Sequence, residues 1–285
     1  MRTLTLSTAL LALLSACPRP ASVPEGVVVT LAPAAALTQA LVGPGVPVRT
    51  LLPPGASPHG YAPRPSDLAR AEGAALLVTM APHVDEWAEG FPAPRRHQLF
   101  DGLSRQAQRP TPGLEGHAHP DPHFWLDPLA VAETIPALAQ ALCEAKAAPC
   151  EEIQPRSQAL QAALRALDLE LRAQLAPLQG AGLLVSEPFL TYFAPRYGLK
   201  IIDTIEPAPG KAPSPRQVLA LIERARAEGA RAVVVQARLP VGPARVVAES
   251  AALPLITLDP IAPPGGSGYE ALLRWNAAQL LEALQ

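Results

Sequence analysis

Gly26-Val27-Val28-Val29-Thr30-Leu31 and Gly182-Leu183-Leu184-Val185-Ser186 each open a half of this chain with a short apolar run, largely β-branched in the first. Such runs read as buried strands. Outward from the first, residues 34–42 read as a helix stopped by Gly43-Pro44, and residues 46–52 as a second strand. Ser66 is expected to cap a helix that ends at Gly73, with a third strand over 75–80. Strand, helix, strand, helix, strand implies a parallel sheet with crossover helices, and ligands then gather at the carboxyl ends of the strands.

The second half repeats the scheme. Residues 200–205 read as a strand, and Ser214-Pro215 starts a helix running to Gly229. The phrase Arg-Ala-Glu-Gly-Ala occurs at 70–74 and again at 226–230, followed each time by a strand, the later one over 232–236. A late strand (254–258) leads to Asp259-Pro260, and an amphipathic helix (269–284) closes the chain. Between the halves, residues 129–145 and about 155–177 read as helices. Leu160, Leu164, Leu167, Leu171 and Leu175 form one apolar stripe on the longer one. The reading is α/β: an N-terminal lobe (26–145), a linker-helix region (146–179) and a C-terminal lobe (180–285).

The 285 residues are 49% hydrophobic and 17% charged, which supports a large core and argues against global disorder. A net charge of -2 argues against a nucleic-acid surface. Arg2, an apolar run over 4–14 and Leu14-Ser15-Ala16-Cys17 read as a signal segment too short for a stop-transfer helix. The last four residues resemble a bacterial lipobox, so residues 1–17 are expected to be a lipoprotein signal with Cys17 lipidated. Residues 18–25 would form a tether, leaving the mature chain extracytoplasmic and membrane-anchored. In that oxidising compartment Cys143 and Cys150 are a candidate disulfide, with two buried thiols as the alternative.

Three of six histidines, His117, His119 and His123, lie in the Pro-rich stretch 116–128. Proline keeps that loop out of helix, and imidazoles with carboxylates are ligands for divalent transition metals. His59, Glu187 and Asp259 each follow a strand. Read singly, His59 is a turn residue, Glu187 a surface carboxylate and Asp259 an Asx-type turn; read together with His123, they make a mixed N/O site. His83 reads as structural or as a residue supporting a ligand from behind, and His97 as solvated.

Four segments, in order, resemble the metal-binding solute receptors of bacterial ABC importers, the zinc and manganese family. They are residues 58–67 (PHGYAPRPSD), 121–128 (DPHFWLDP), 186–199 (SEPFLTYFAPRYGL) and 258–261 (LDPI). The resemblance implies two lobes joined by a rigid helix, with His59, His123, Glu187 and Asp259 as ligands and His117 and His119 on an accessory loop at the mouth. It implies a monomer that passes zinc or manganese, with iron also possible, to a permease and its ATPase, and no enzymatic activity. Glu187 stands where zinc receptors usually carry His and so leans toward manganese, whereas the His loop leans toward zinc. Gln236, where the family often has an acidic residue, and the Pro-rich segment 207–215 are expected to bear on packing or partner contact. A surface adhesin on the same fold and a secreted metallohydrolase are the competing readings. The latter lacks a His-Glu-x-x-His helix.

Overall fold

The computed structural model describes residues 26–111, 119–206, 212–264 and 268–285. Cys17, the signal and tether segments, and His117 lie outside them.

The N-terminal lobe runs β1 (Val27–Val29), α1 (Ala32–Val42), β2 (Val48–Thr50), α2 (Pro65–Ala71), β3 (Leu76–Thr79) and β4 (Arg96–Gln98). It is followed by α3 (Pro128–Glu144) and the long α4 (Cys150–Leu175). The C-terminal lobe runs β5 (Gly182–Val185), α5 (Phe193–Arg196), β6 (Lys200–Thr204), α6 (Pro215–Ala227), β7 (Ala230–Gln236), α7 (Gly242–Ala251), β8 (Leu255–Leu258) and α8 (Tyr269–Leu284). The sheets are four-stranded and parallel, ordered β2-β1-β3-β4 and β6-β5-β7-β8. Both therefore share one topology, with the order reversing beside the first strand of each lobe. Such a reversal opens a crevice at the carboxyl ends of the strands.

The lobes are not separately cored. One apolar cluster joins Val27 and Val29, the α4 residues Ile153, Leu164, Leu167, Leu171 and Leu175, and Leu183, Val185 and Leu273 beyond them. Thus α4 is packed into both halves through the leucine stripe, of which Leu160 is only half-buried. Each fully buried leucine contributes about 2 kcal/mol. Two smaller clusters cover the outer sheet faces. Among the described residues no helix is long and apolar enough to cross a membrane.

Local departures from the sequence reading have physical causes. The N-cap of α2 is Arg64, not Ser66: Pro65 supplies the preset φ of the first turn, and Asp67 accepts from the Arg64 amide at 2.8 Å. α4 begins at Cys150, five residues before Pro155. Glu151 and Glu152 suit the positive helix start, and Pro155 in the second turn costs one backbone bond. α7 and β4 are additional elements. Within β4, His97 is half-buried rather than solvated, with Nε2 buried and unpartnered. Cys143, near the end of α3, and Cys150, opening α4, are joined by a disulfide with Cα atoms 5.0 Å apart.

Candidate metal centre

His59 sits in the loop after β2, where Pro58 and Gly60 (φ +156°) forbid regular structure. Burial draws its pKa down to about 4, helped by neighbouring His123 and opposed by the His83 backbone. The His59 and His123 ring centroids are 5.7 Å apart, tilted by 53°.

His123 begins the short 3-10 turn Phe124–Leu126. Behind it Asp121, fully buried, accepts from the His123 amide at 2.8 Å and lies 3.1 Å from Nδ1. A carboxylate oxygen facing Nδ1 favours the proton on that nitrogen and leaves the Nε2 lone pair free. The other Asp121 oxygen accepts from Thr191 Oγ1 at 2.9 Å, a bond that crosses from one lobe to the other. Trp125 makes a second crossing, donating to the Pro260 carbonyl at 2.7 Å.

Glu187 follows β5 in a tight turn and is 8% exposed. Burial, then Glu206, raises its carboxyl pKa, and His123 opposes them. Gln236 at the end of β7 donates to Oε2 at 3.1 Å. Gln236 therefore contacts a candidate ligand, contrary to the expectation that it bears only on packing or partner contact.

Asp259 directly follows β8 and is 2% exposed. Its backbone is clamped by Asn276, which accepts from N at 2.9 Å and donates to O at 2.8 Å. Its Oδ1 accepts from the amides of Ile261 (2.9 Å) and Ala262 (3.0 Å) and from Arg238 Nη1. No sequence pattern flagged Arg238. It lies beyond β7 with φ +71° and also donates to the Ala262 carbonyl at 2.8 Å.

Thus His59 and His123 stand side by side, Glu187 is electrostatically coupled to His123, and Asp259 faces an arginine. Among the described residues no three His, Cys, Asp or Glu side chains are grouped closely enough to hold an ion as they stand. At the rim, His119 packs edge-on against His83 with centroids 4.8 Å apart. His83 Nδ1 is 2.9 Å from Glu86.

The family model for zinc-uptake complex component A, periplasmic, matches residues 27–283. The chain belongs to this family. It is 26% identical over 263 residues to a putative metal-binding protein of Thermotoga maritima, covering 91% of this chain and 92% of that one. It is 27% identical over 311 residues to the high-affinity zinc uptake system protein ZnuA of Paracoccus denitrificans (95% and 94% covered). The iron ABC transporter substrate-binding lipoprotein MtsA of Streptococcus pyogenes serotype M1 is 24% identical over 281 residues (90% and 88%). In fold the chain is similar to a solved mutant structure of the laminin-binding adhesin Lmb of Streptococcus agalactiae, with TM-score 0.79, 22% identity and 92% and 100% of the two chains covered.

Proposed function

We propose that this chain is the extracytoplasmic receptor of an ABC importer. It holds one divalent transition-metal ion between its lobes and yields it to a membrane permease driven by an ATPase. His59, His123, Glu187 and Asp259 are the proposed ligands, with zinc or manganese as the cargo and iron the next candidate. The observation that carries this reading is the adjacent His59–His123 pair with Asp121 behind it. Two imidazoles with buried carboxylates, Glu187 and Asp259 just after β5 and β8, suit a borderline metal ion. The names of the relatives, which include zinc uptake and iron transport, support the same class. A lipidated Cys17, a tether over 18–25 and a monomeric receptor complete the proposal, with His119 and His117 as accessory ligands at the mouth.

The test is a competitive titration of metal-stripped mature protein with Zn²⁺ and Mn²⁺, with elemental analysis of the bound fraction. His123→Ala is expected to abolish tight binding. His83→Ala is expected to retain it, because the His83 ring packs on His119 and meets Glu86 rather than the proposed ligands. Equal losses in both variants, or no tight binding in the unmodified protein, would refute the ligand assignment.

A further inference from the structure

Gln236 ends β7 and Arg238 lies two residues on, so one stretch of backbone serves both acidic ligands. Gln236 Nε2 takes Oε2 of Glu187 at 3.1 Å. Arg238, 19% exposed at its side chain, takes Oδ1 of Asp259, which two backbone amides already hold. No described residue donates a hydrogen bond to Oε1 of Glu187 or to Oδ2 of Asp259. Each carboxylate therefore keeps one uncommitted oxygen.

We propose that Gln236 and Arg238 set the metal preference by keeping Glu187 and Asp259 monodentate. This rests on the four-ligand reading above. Two imidazole nitrogens and two single carboxylate oxygens make four donors, the number zinc takes in a tetrahedral site. Mn²⁺ favours more oxygen donors and octahedral geometry. Here Asp259 Oδ1, already accepting from Arg238 and the amides of Ile261 and Ala262, has no lone pair left to recruit, and Glu187 Oε2 must share its lone pairs with Gln236. Zinc needs none of those oxygens. The arginine charge opposes every divalent cation alike and largely cancels in the zinc-to-manganese ratio. The pair therefore offsets the manganese lean of a carboxylate at position 187 and favours zinc.

The test uses metal-stripped unmodified protein, Gln236→Met and Arg238→Met, each checked for an unaltered circular dichroism spectrum. Kd values for Zn²⁺ and Mn²⁺ are measured by competition, and the ligand-field spectrum of bound Co²⁺ reports coordination number. The unmodified protein should give the intense Co²⁺ bands of a four-coordinate site. Gln236→Met should weaken them and lower the zinc preference over manganese about tenfold. Arg238→Met should shift the ratio in the same direction by less, since two amides still hold Oδ1. A five- or six-coordinate Co²⁺ spectrum in the unmodified protein would overturn the proposal. So would an unchanged ratio and spectrum in both variants while binding remains tight. If the unmodified protein binds neither metal, or His123→Ala binds as tightly as it does, the ligand reading itself has failed and this inference falls with it.

Discussion

Asp121 aims His123: its Oδ1 lies 3.1 Å from the imidazole Nδ1 and 2.8 Å from the same residue's amide. The contact favours one ring plane and one tautomer, so the Nε2 lone pair is left free for the metal proposed above. Asp121→Ala should therefore weaken metal affinity by about 10- to 100-fold. Asp121→Asn, whose amide oxygen still accepts from Nδ1, should lose less. Isothermal titration of the two variants separates these outcomes, and equal losses would show that the charge of Asp121, not its aim, is what matters.

His59 gives the metal-free protein a pH-dependent stability. Its pKa falls to about 4 in the fold, chiefly by burial, against about 6.5 in an unfolded chain. Below pH 6.5 the unfolded chain takes up a proton that the folded chain refuses. Stability from this group is therefore fully present above pH 6.5 and is lost as pH falls toward 4, by up to about 3 kcal/mol. Burial lowers the pKa of His97 as well, so it adds in the same direction. Urea unfolding of metal-free protein across this window should show the decline, and His59→Gln should flatten part of it.

The duplicated α/β plan was legible because each lobe opens on an apolar run, Val27–Val29 and Leu183–Val185, followed by alternating helices and strands. β4 was not, because Arg96, His97 and Gln98 are polar and the strand exists only through its pairing with Leu77–Thr79. Three ligand candidates, His59, Glu187 and Asp259, were legible as motifs after strands, and His123 as part of a Pro-rich loop. Their partners were not: Arg238 reaches Asp259 through a left-handed backbone step that no local pattern announces. Gln236 looked like a simple departure from an acidic residue until β5 and β7 paired and set it against Glu187. Long-range pairing decides such contacts, and sequence spacing carries little of it.

The Cys143–Cys150 bridge closes a loop between residues seven apart, joining α3 to α4. On the loop-entropy account so short a closure stabilises by about 2 kcal/mol. Cys143→Ser with Cys150→Ser should lower the unfolding midpoint accordingly. Metal affinity should stay unchanged, since the bridge lies some 20 Å along α3 from the Asp127 end beside His123. A fall in affinity without loss of stability would contradict this division.

Arg196 at the end of α5 joins two buried carboxylates, Asp168 of α4 at 2.9 Å and Asp127 at 3.3 Å. Asp127 also caps α3, accepting from the Leu129 amide at 2.9 Å. Burial pushes the Asp127 pKa up and Arg196 holds it down, while Asp168 pushes in the same direction as burial. Arg196→Ala leaves Asp127 without its arginine and Asp168 held by Arg172 alone at 3.2 Å, in the junction of both lobes with the long helix. The expected loss is about 3 kcal/mol at pH 7. Because a raised carboxyl pKa makes the charged form the unfavourable one, protonation relieves the strain as pH falls. The loss should therefore be clearly smaller at pH 4.5. Urea unfolding of the variant at both pH values checks this, and an equal loss at both would assign the effect to the packing of the arginine stem instead of its charge.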